Sequence, residues 1–145
     1  MKNLSQFNLQ FNNYYKSYFN MLSHEFNDWL IGVDEDTPIP YEISLATFII
    51  SKSENLYSLS YSGHEQKTLK KLVAGDFIPL EGQYFFSKYL MIIELLSKSE
   101  KVKQEFILFI VEKLINTFLK TKNATFLKNK KIALGFAFTK PIYIH

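Results

Sequence analysis

The chain contains no cysteine among its 145 residues. That excludes disulfides, thiol nucleophiles, thiolate metal sites and iron–sulfur clusters together. It suits a reducing compartment, and a cytoplasmic location is the expectation. Arginine is absent as well, because all 17 basic residues are lysines. Arginine is the usual planar clamp on phosphate and carboxylate and the usual reader of guanine edges. Its absence argues against sequence-specific DNA recognition and phosphoryl transfer. Lys, Asn, Ile, Phe and Tyr are abundant, as a genome of low G+C content explains without selection against arginine.

Long apolar runs are missing too. The longest, Tyr84–Leu96 and Phe106–Leu119, are broken by Ser87, Lys88, Glu112 and Lys113. Both fall short of the roughly 20 residues a bilayer span needs, so no membrane span is expected. The opening MKNLSQFNLQFNN is too polar for a signal peptide. Neither common phosphate-loop pattern occurs. His24, His64 and His145 lack zinc-ligand spacing, and the acidic run Asp34–Asp36 lacks the spacing of a calcium loop. No cofactor or metal is expected.

What is present describes one globular domain over residues 1–145. Hydrophobic residues make up 47% of the chain and aromatic residues 17%, with a net charge of only +3. That is enough apolar material for a core. Charge is uneven: residues 1–62 hold three lysines against seven acids, residues 63–145 fourteen lysines against seven acids. No acid follows Glu112.

Apolar periodicity predicts a long helix over 4–31, with Leu22, Phe26 and Trp29 on its stripe and Gly32 as its stop. Glu25 falls near the middle of that stripe, where a carboxylate needs a partner or a raised pKa. VDEDTPIP, residues 33–40, reads as a connector. A β-hairpin is expected over 42–62. Its first strand is apolar on both faces and therefore central or covered; its second sets Tyr57, Leu59 and Tyr61 against Ser58, Ser60 and Ser62. Ser62 and Glu65 fit a capping box opening a short helix to about Ala74. A loop follows over 76–82, then helices over 83–97 and 100–120, the second opened by a Ser97–Glu100 box. The C-terminal strand, 131–144, sets Ile132, Leu134, Phe136 and Phe138 against the small residues Ala133, Gly135 and Ala137. A face that small admits a close approach, usually by a helix, sometimes by a flat ligand. The predicted fold is α+β: a small antiparallel sheet of the hairpin and the C-terminal strand, packed against helices 4–31, 83–97 and 100–120.

Chemistry-bearing patterns are sparse. His24 and Asp28 stand four apart on one helix face, the minimum of a general base. His64 near Ser60 and Ser62 offers a Ser–His dyad, without the glycine pattern of a nucleophile elbow. Surplus apolar surface is the stronger feature. Tyr84, Leu90, Met91 and Leu95 lie off the main core face of helix 83–97 and are candidate partner contacts. Lys120, Lys122, Lys128, Lys130 and Lys131 form a one-sign run, KTKNATFLKNKK, with Phe126 available for stacking. The expected function is a non-enzymatic protein-interaction module of adaptor, immunity or inhibitor type, self-associating or bound to a protein partner. The alternatives are weak, sequence-independent nucleic-acid binding through the Lys-rich half, and a small enzyme or ligand-binding domain with a site near His24 and Asp28 or near His64.

Overall fold

The computed structural model describes residues 16–36, 38–53, 56–72 and 99–144. Helix α1 spans Lys16–Asp36. It buries Phe19, Leu22, Phe26, Trp29, Leu30 and Val33, which recur at helical spacing along one face. Gly32 does not stop it. Val33 extends the buried stripe by one step, and the chain stays helical through the acids of 34–36, up to the approach of Pro38. The connector is thus shorter than its composition implied. Glu25 is half-buried, at the margin of the core face.

Strands β1 (Leu45–Ser53) and β2 (Leu56–His64) form the expected antiparallel hairpin. Helix α2 spans Glu100–Leu119 and buries a wide face from Phe106 to Phe118. Its N-cap is Ser99, which makes no side-chain cap bond; Ser97 of the expected Ser97–Glu100 box lies outside the described residues. A 3₁₀ helix, Lys122–Leu127, follows. The C-terminal segment is two strands, β3 (Lys131–Phe136) and β4 (Ile142–Ile144), rather than one. The turn between them carries Phe138 at φ 63°, outside the apolar row it was assigned to and exposed to solvent. Pro141, which has no N–H to give a strand ladder, fits this break.

The α+β architecture holds, with sheet order β2-β1-β3-β4 and helices packed on the sheet. The sheet is mixed, not wholly antiparallel: β3 runs parallel to β1, with Leu45 opposite Lys131 and Ile50 opposite Phe136. The 66-residue path between β2 and β3 (65–130) is long enough to permit either direction. β2 ends, and β3 begins, at the Leu45 end of the sheet.

One face of the sheet presents Ala46, Phe48, Ile50, Leu59, Tyr61, Ile132 and Leu134 to the main core. There Phe26 of α1 meets Phe48 at 6.1 Å and Phe118 of α2 at 6.3 Å between ring centroids. The opposite face carries Leu45, Ile49 and Ala133 under Leu72. Residues 65–72 are not the short helix expected after Ser62. Ser62 and His64 are held in the β ladder opposite Thr47 and Leu45, which overrides the local capping signal. Among the described residues, the small-residue face of β3 is met by Leu72. Leu72 Cδ1 lies 2.6 Å from where a Cβ on Gly135 would sit. Leu72 also exchanges backbone hydrogen bonds with the β3–β4 turn, its N–H reaching Thr139 O and its carbonyl accepting from Phe138 N. The segments expected as loop 76–82 and helix 83–97 lie outside the described residues.

Candidate functional site

Among the described residues, two regions are considered for their accessibility and chemistry. The first is a cleft of about 520 Å³ where the end of α1, residues 38–41 and the 3₁₀ helix converge. The 3₁₀ helix anchors itself by burying Ala124 and Leu127 and by packing Phe126 on Phe118, 5.8 Å between centroids. The chain then turns, and residues 129–131 are stitched to the connector before β1. Asn129 Nδ2 donates to Tyr41 O at 3.0 Å, and Lys131 N donates to Ser44 O at 2.7 Å. Lys130 Nζ donates to Ile43 O at 2.6 Å and to Pro40 O at 3.2 Å. Lys130 is therefore buried, while Tyr41 on the rim is 81% exposed.

The electrostatics of the cleft follow from that burial. Desolvation pushes the Lys130 ammonium below its ordinary pKa, and the charges of Asp34 and Glu42 push back. Asp34, in the cleft wall, has its carboxyl raised by desolvation and by Glu35, against a lowering pull from Lys130. The Tyr61 hydroxyl is buried without a hydrogen-bond partner, and desolvation, then the Asp34 charge, push it upward.

The second region is the β3–β4 hairpin. Phe138 is 73% exposed, and Ile142 and Tyr143 are exposed beside it. Lys131 Nζ sits 4.3 Å from the centroid of the Tyr143 ring. The Tyr143 hydroxyl accepts from Leu69 N at 3.0 Å, which fixes the ring against the covering segment.

The structure brings some of the expected site residues together: Lys128 and Lys130 line the first cleft, and Ser62 and His64 meet through Thr47. Lys120, Lys122, Lys128 and Lys131 are exposed, but Lys130 is withdrawn from the surface and Lys131 is stacked on Tyr143. Lys120 borders a separate cleft along α2 with Phe109 and Lys113. Four of the five lysines of the run are thus exposed and one is buried. His24 and Asp28 are both exposed, with no hydrogen bond between them. His64 and Ser62 are buried, and the hydroxyl joining them is that of Thr47, 2.9 Å from Ser62 Oγ and 3.2 Å from His64 Nε2. None of these three lines either cleft. These three side chains form a buried polar network. Tyr84, Leu90, Met91 and Leu95 lie outside the described residues.

Compared with family models, with curated proteins and with solved structures, the chain matches none.

Asp34, Tyr41, Thr47 and Phe138 carry features that the sequence reading did not assign. Thr47 had a signal, as the one polar residue inside the apolar run LATFII. Phe138 had one in Pro141, which breaks the strand pattern. Among the described residues, no helix is long and apolar enough to cross a membrane, and no group of three potential ligands could hold a metal ion.

Proposed function

We propose that the chain is a non-enzymatic protein-interaction module whose contact surface is the β3–β4 hairpin. The observation that carries this reading is Phe138. A bulky residue other than glycine at positive φ is a conformational outlier, worth roughly 1–3 kcal/mol of backbone strain. Its ring is exposed, so its own burial does not offset that strain. Strained, exposed aromatics are characteristic of binding surfaces, where a partner supplies the missing burial. Ile142 and Tyr143 extend the apolar surface at the sheet edge.

The hairpin's charges name the kind of partner. Lys131 and Lys140 flank it, and no acid follows Glu112 in the chain. A two-fold contact between copies would set the same lysines against each other. An acidic protein surface with an apolar pocket for Phe138 is the complement, with the lysines on the rim steering association. The lack of cysteine fits work in a reducing compartment such as the cytoplasm.

The test is affinity capture from the native cell with the wild type and with Phe138→Gly, followed by calorimetric titration of the purified pair. An acidic protein retained by the wild type, with affinity reduced at least about tenfold in the variant, supports the reading; truncating a hot-spot aromatic typically costs this much or more. Identical captures by both proteins overturn it. Nanomolar binding to an oligonucleotide at about 150 mM salt overturns it in favour of nucleic acid.

A further inference from the structure

The left-handed turn at Phe138 is held by a residue 66 positions earlier in the chain. Peptide units are planar, so a residue's φ and ψ are set once the planes on either side of it are set. The plane before Phe138 is pinned by its own N–H, which donates to Leu72 O at 2.7 Å. The plane after it is pinned by Thr139 N–H, which donates to Phe136 O at 3.2 Å. The following plane is pinned by Thr139 O, which accepts from Leu72 N–H at 2.8 Å. Two of these three planes thus end on the backbone of Leu72. Thr139 Oγ1 closes the turn locally, donating to Phe136 O at 2.6 Å. The Phe138 ring is exposed and adds little to the hold.

Leu72 is placed in turn by its side chain, which is fully buried with Leu45, Ile49 and Ala133. Its Cδ1 lies so near Gly135 that a methyl group there would have to push it away. Leu69 N–H donates to the Tyr143 hydroxyl at 3.0 Å, which ties the same segment to β4. We propose that Leu72, seated on Gly135, is the positioning residue for Phe138. It selects the left-handed turn that presents the ring, and so controls affinity for a protein partner without touching it. This inference rests on the reading of the β3–β4 hairpin as the contact surface. Leu72 is buried, so its effect on a partner passes through Phe138. A ring already held in its bound conformation loses less entropy on association than one that must first be ordered.

The test uses the full chain. Leu72→Ala and Gly135→Ala disturb the lock, and Leu114→Ala, in the main core, controls for lost stability alone. Two readouts need no partner: the intraresidue amide–Hα distance of Phe138 by NMR, which is shortest at positive φ, and hydrogen exchange at the Phe138 amide. In Leu72→Ala and Gly135→Ala that distance should lengthen, and the amide should exchange at least about tenfold faster relative to amides of the β1–β2 hairpin. Leu114→Ala should leave the distance and the ratio unchanged. Affinity for the captured partner should fall at least about tenfold in Leu72→Ala and Gly135→Ala and hold in Leu114→Ala. Should an alanine variant fail to fold, Leu72→Val against Ile115→Val repeats the comparison with a smaller loss of side chain, and the same difference is expected at smaller size. A Phe138 conformation and exchange ratio unmoved in the Leu72 and Gly135 variants overturns the proposal, and so does an equal fall in affinity in Leu114→Ala. Affinity lost in Phe138→Gly but kept in Leu72→Ala overturns the lock and leaves the contact surface standing. Equal affinity of wild type and Phe138→Gly overturns the contact surface and with it the role of Leu72 in binding; that case is recognised by a turn that still opens in Leu72→Ala.

Discussion

At residue 138, alanine and glycine should reverse their usual order of stability. In ordinary helix or strand backbone, glycine is worse than alanine by about 0.5–1 kcal/mol, because its unfolded chain has more freedom to lose. Phe138 sits at φ 63°, where a Cβ costs about 1–2 kcal/mol and glycine has no such penalty. Subtracting the entropy term leaves Phe138→Gly more stable than Phe138→Ala by about 0.5–1 kcal/mol. Both variants lose the same ring, which is 73% exposed, so lost burial cancels in the comparison. Gly32 supplies the opposite case. It lies in the interior of α1 at negative φ, and a methyl group added there would meet nothing within 4 Å. Gly32→Ala should therefore stabilise by about 0.5–1 kcal/mol. Urea denaturation reads both as shifts in midpoint at unchanged m-value. If Phe138→Ala equals or exceeds Phe138→Gly, the left-handed conformation is not what the chain adopts in solution, and the strain argument for a binding surface fails with it.

Gly135→Ala should destabilise by about 1–3 kcal/mol, since the new methyl meets Leu72 Cδ1 at 2.6 Å, and Leu72→Ala in the same chain should recover part of the loss in a double-mutant cycle. Glu100 accepts from Lys52 at 2.6 Å and from Tyr57 at 2.7 Å, and these bonds, Lys52 first, hold its carboxyl below the ordinary pKa of 4.5. Its contribution is present above that ordinary value and is lost as pH falls through the lower folded one, so Glu100→Gln should flatten the acid limb of a stability-versus-pH curve. Tyr61→Phe removes a buried hydroxyl that has no hydrogen-bond partner, and melting should show stability unchanged or raised; a loss above about 1 kcal/mol would reveal a bond to that oxygen.

The parts of the fold legible in the sequence are those whose cause is local. The α2 stripe, the hairpin and the two-sided burial of β1 follow from residue periods of 3.6 and 2. The errors arise where a distant contact overrides a local signal. Ser62 and Glu65 match a capping box, but Ser62 hydrogen-bonds Thr47, fifteen residues away and facing it across the hairpin. Gly32 matches a helix stop, but Val33 finds a place in the core and carries the helix onward. Phe138 matches an apolar alternation, but its amide donates to Leu72 O at 2.7 Å, in a turn that tucks against residues 66 positions earlier.

The cleft was illegible for the same reason, in its most extreme form. Lys128, Lys130 and Lys131 are alike in composition, yet one stands at a rim, one is buried and one stacks on an aromatic ring. Their fates depend on strand direction. Because β3 is parallel to β1, Lys131 lies opposite Leu45, and the residue before it reaches the carbonyls just before β1. Those carbonyls lie 87 and 90 positions away in the chain. Were β3 antiparallel, its first residue would lie at the Ile50 end of β1, and Lys130 would stand far from both Ile43 and Pro40. The ammonium would then be an ordinary solvated lysine, and the run KTKNATFLKNKK could form the continuous basic face its composition suggests. The pairing direction of one strand thus decides whether Lys130 is a solvated cation or a buried donor to two backbone carbonyls, and no residue pattern within 120–131 encodes that choice.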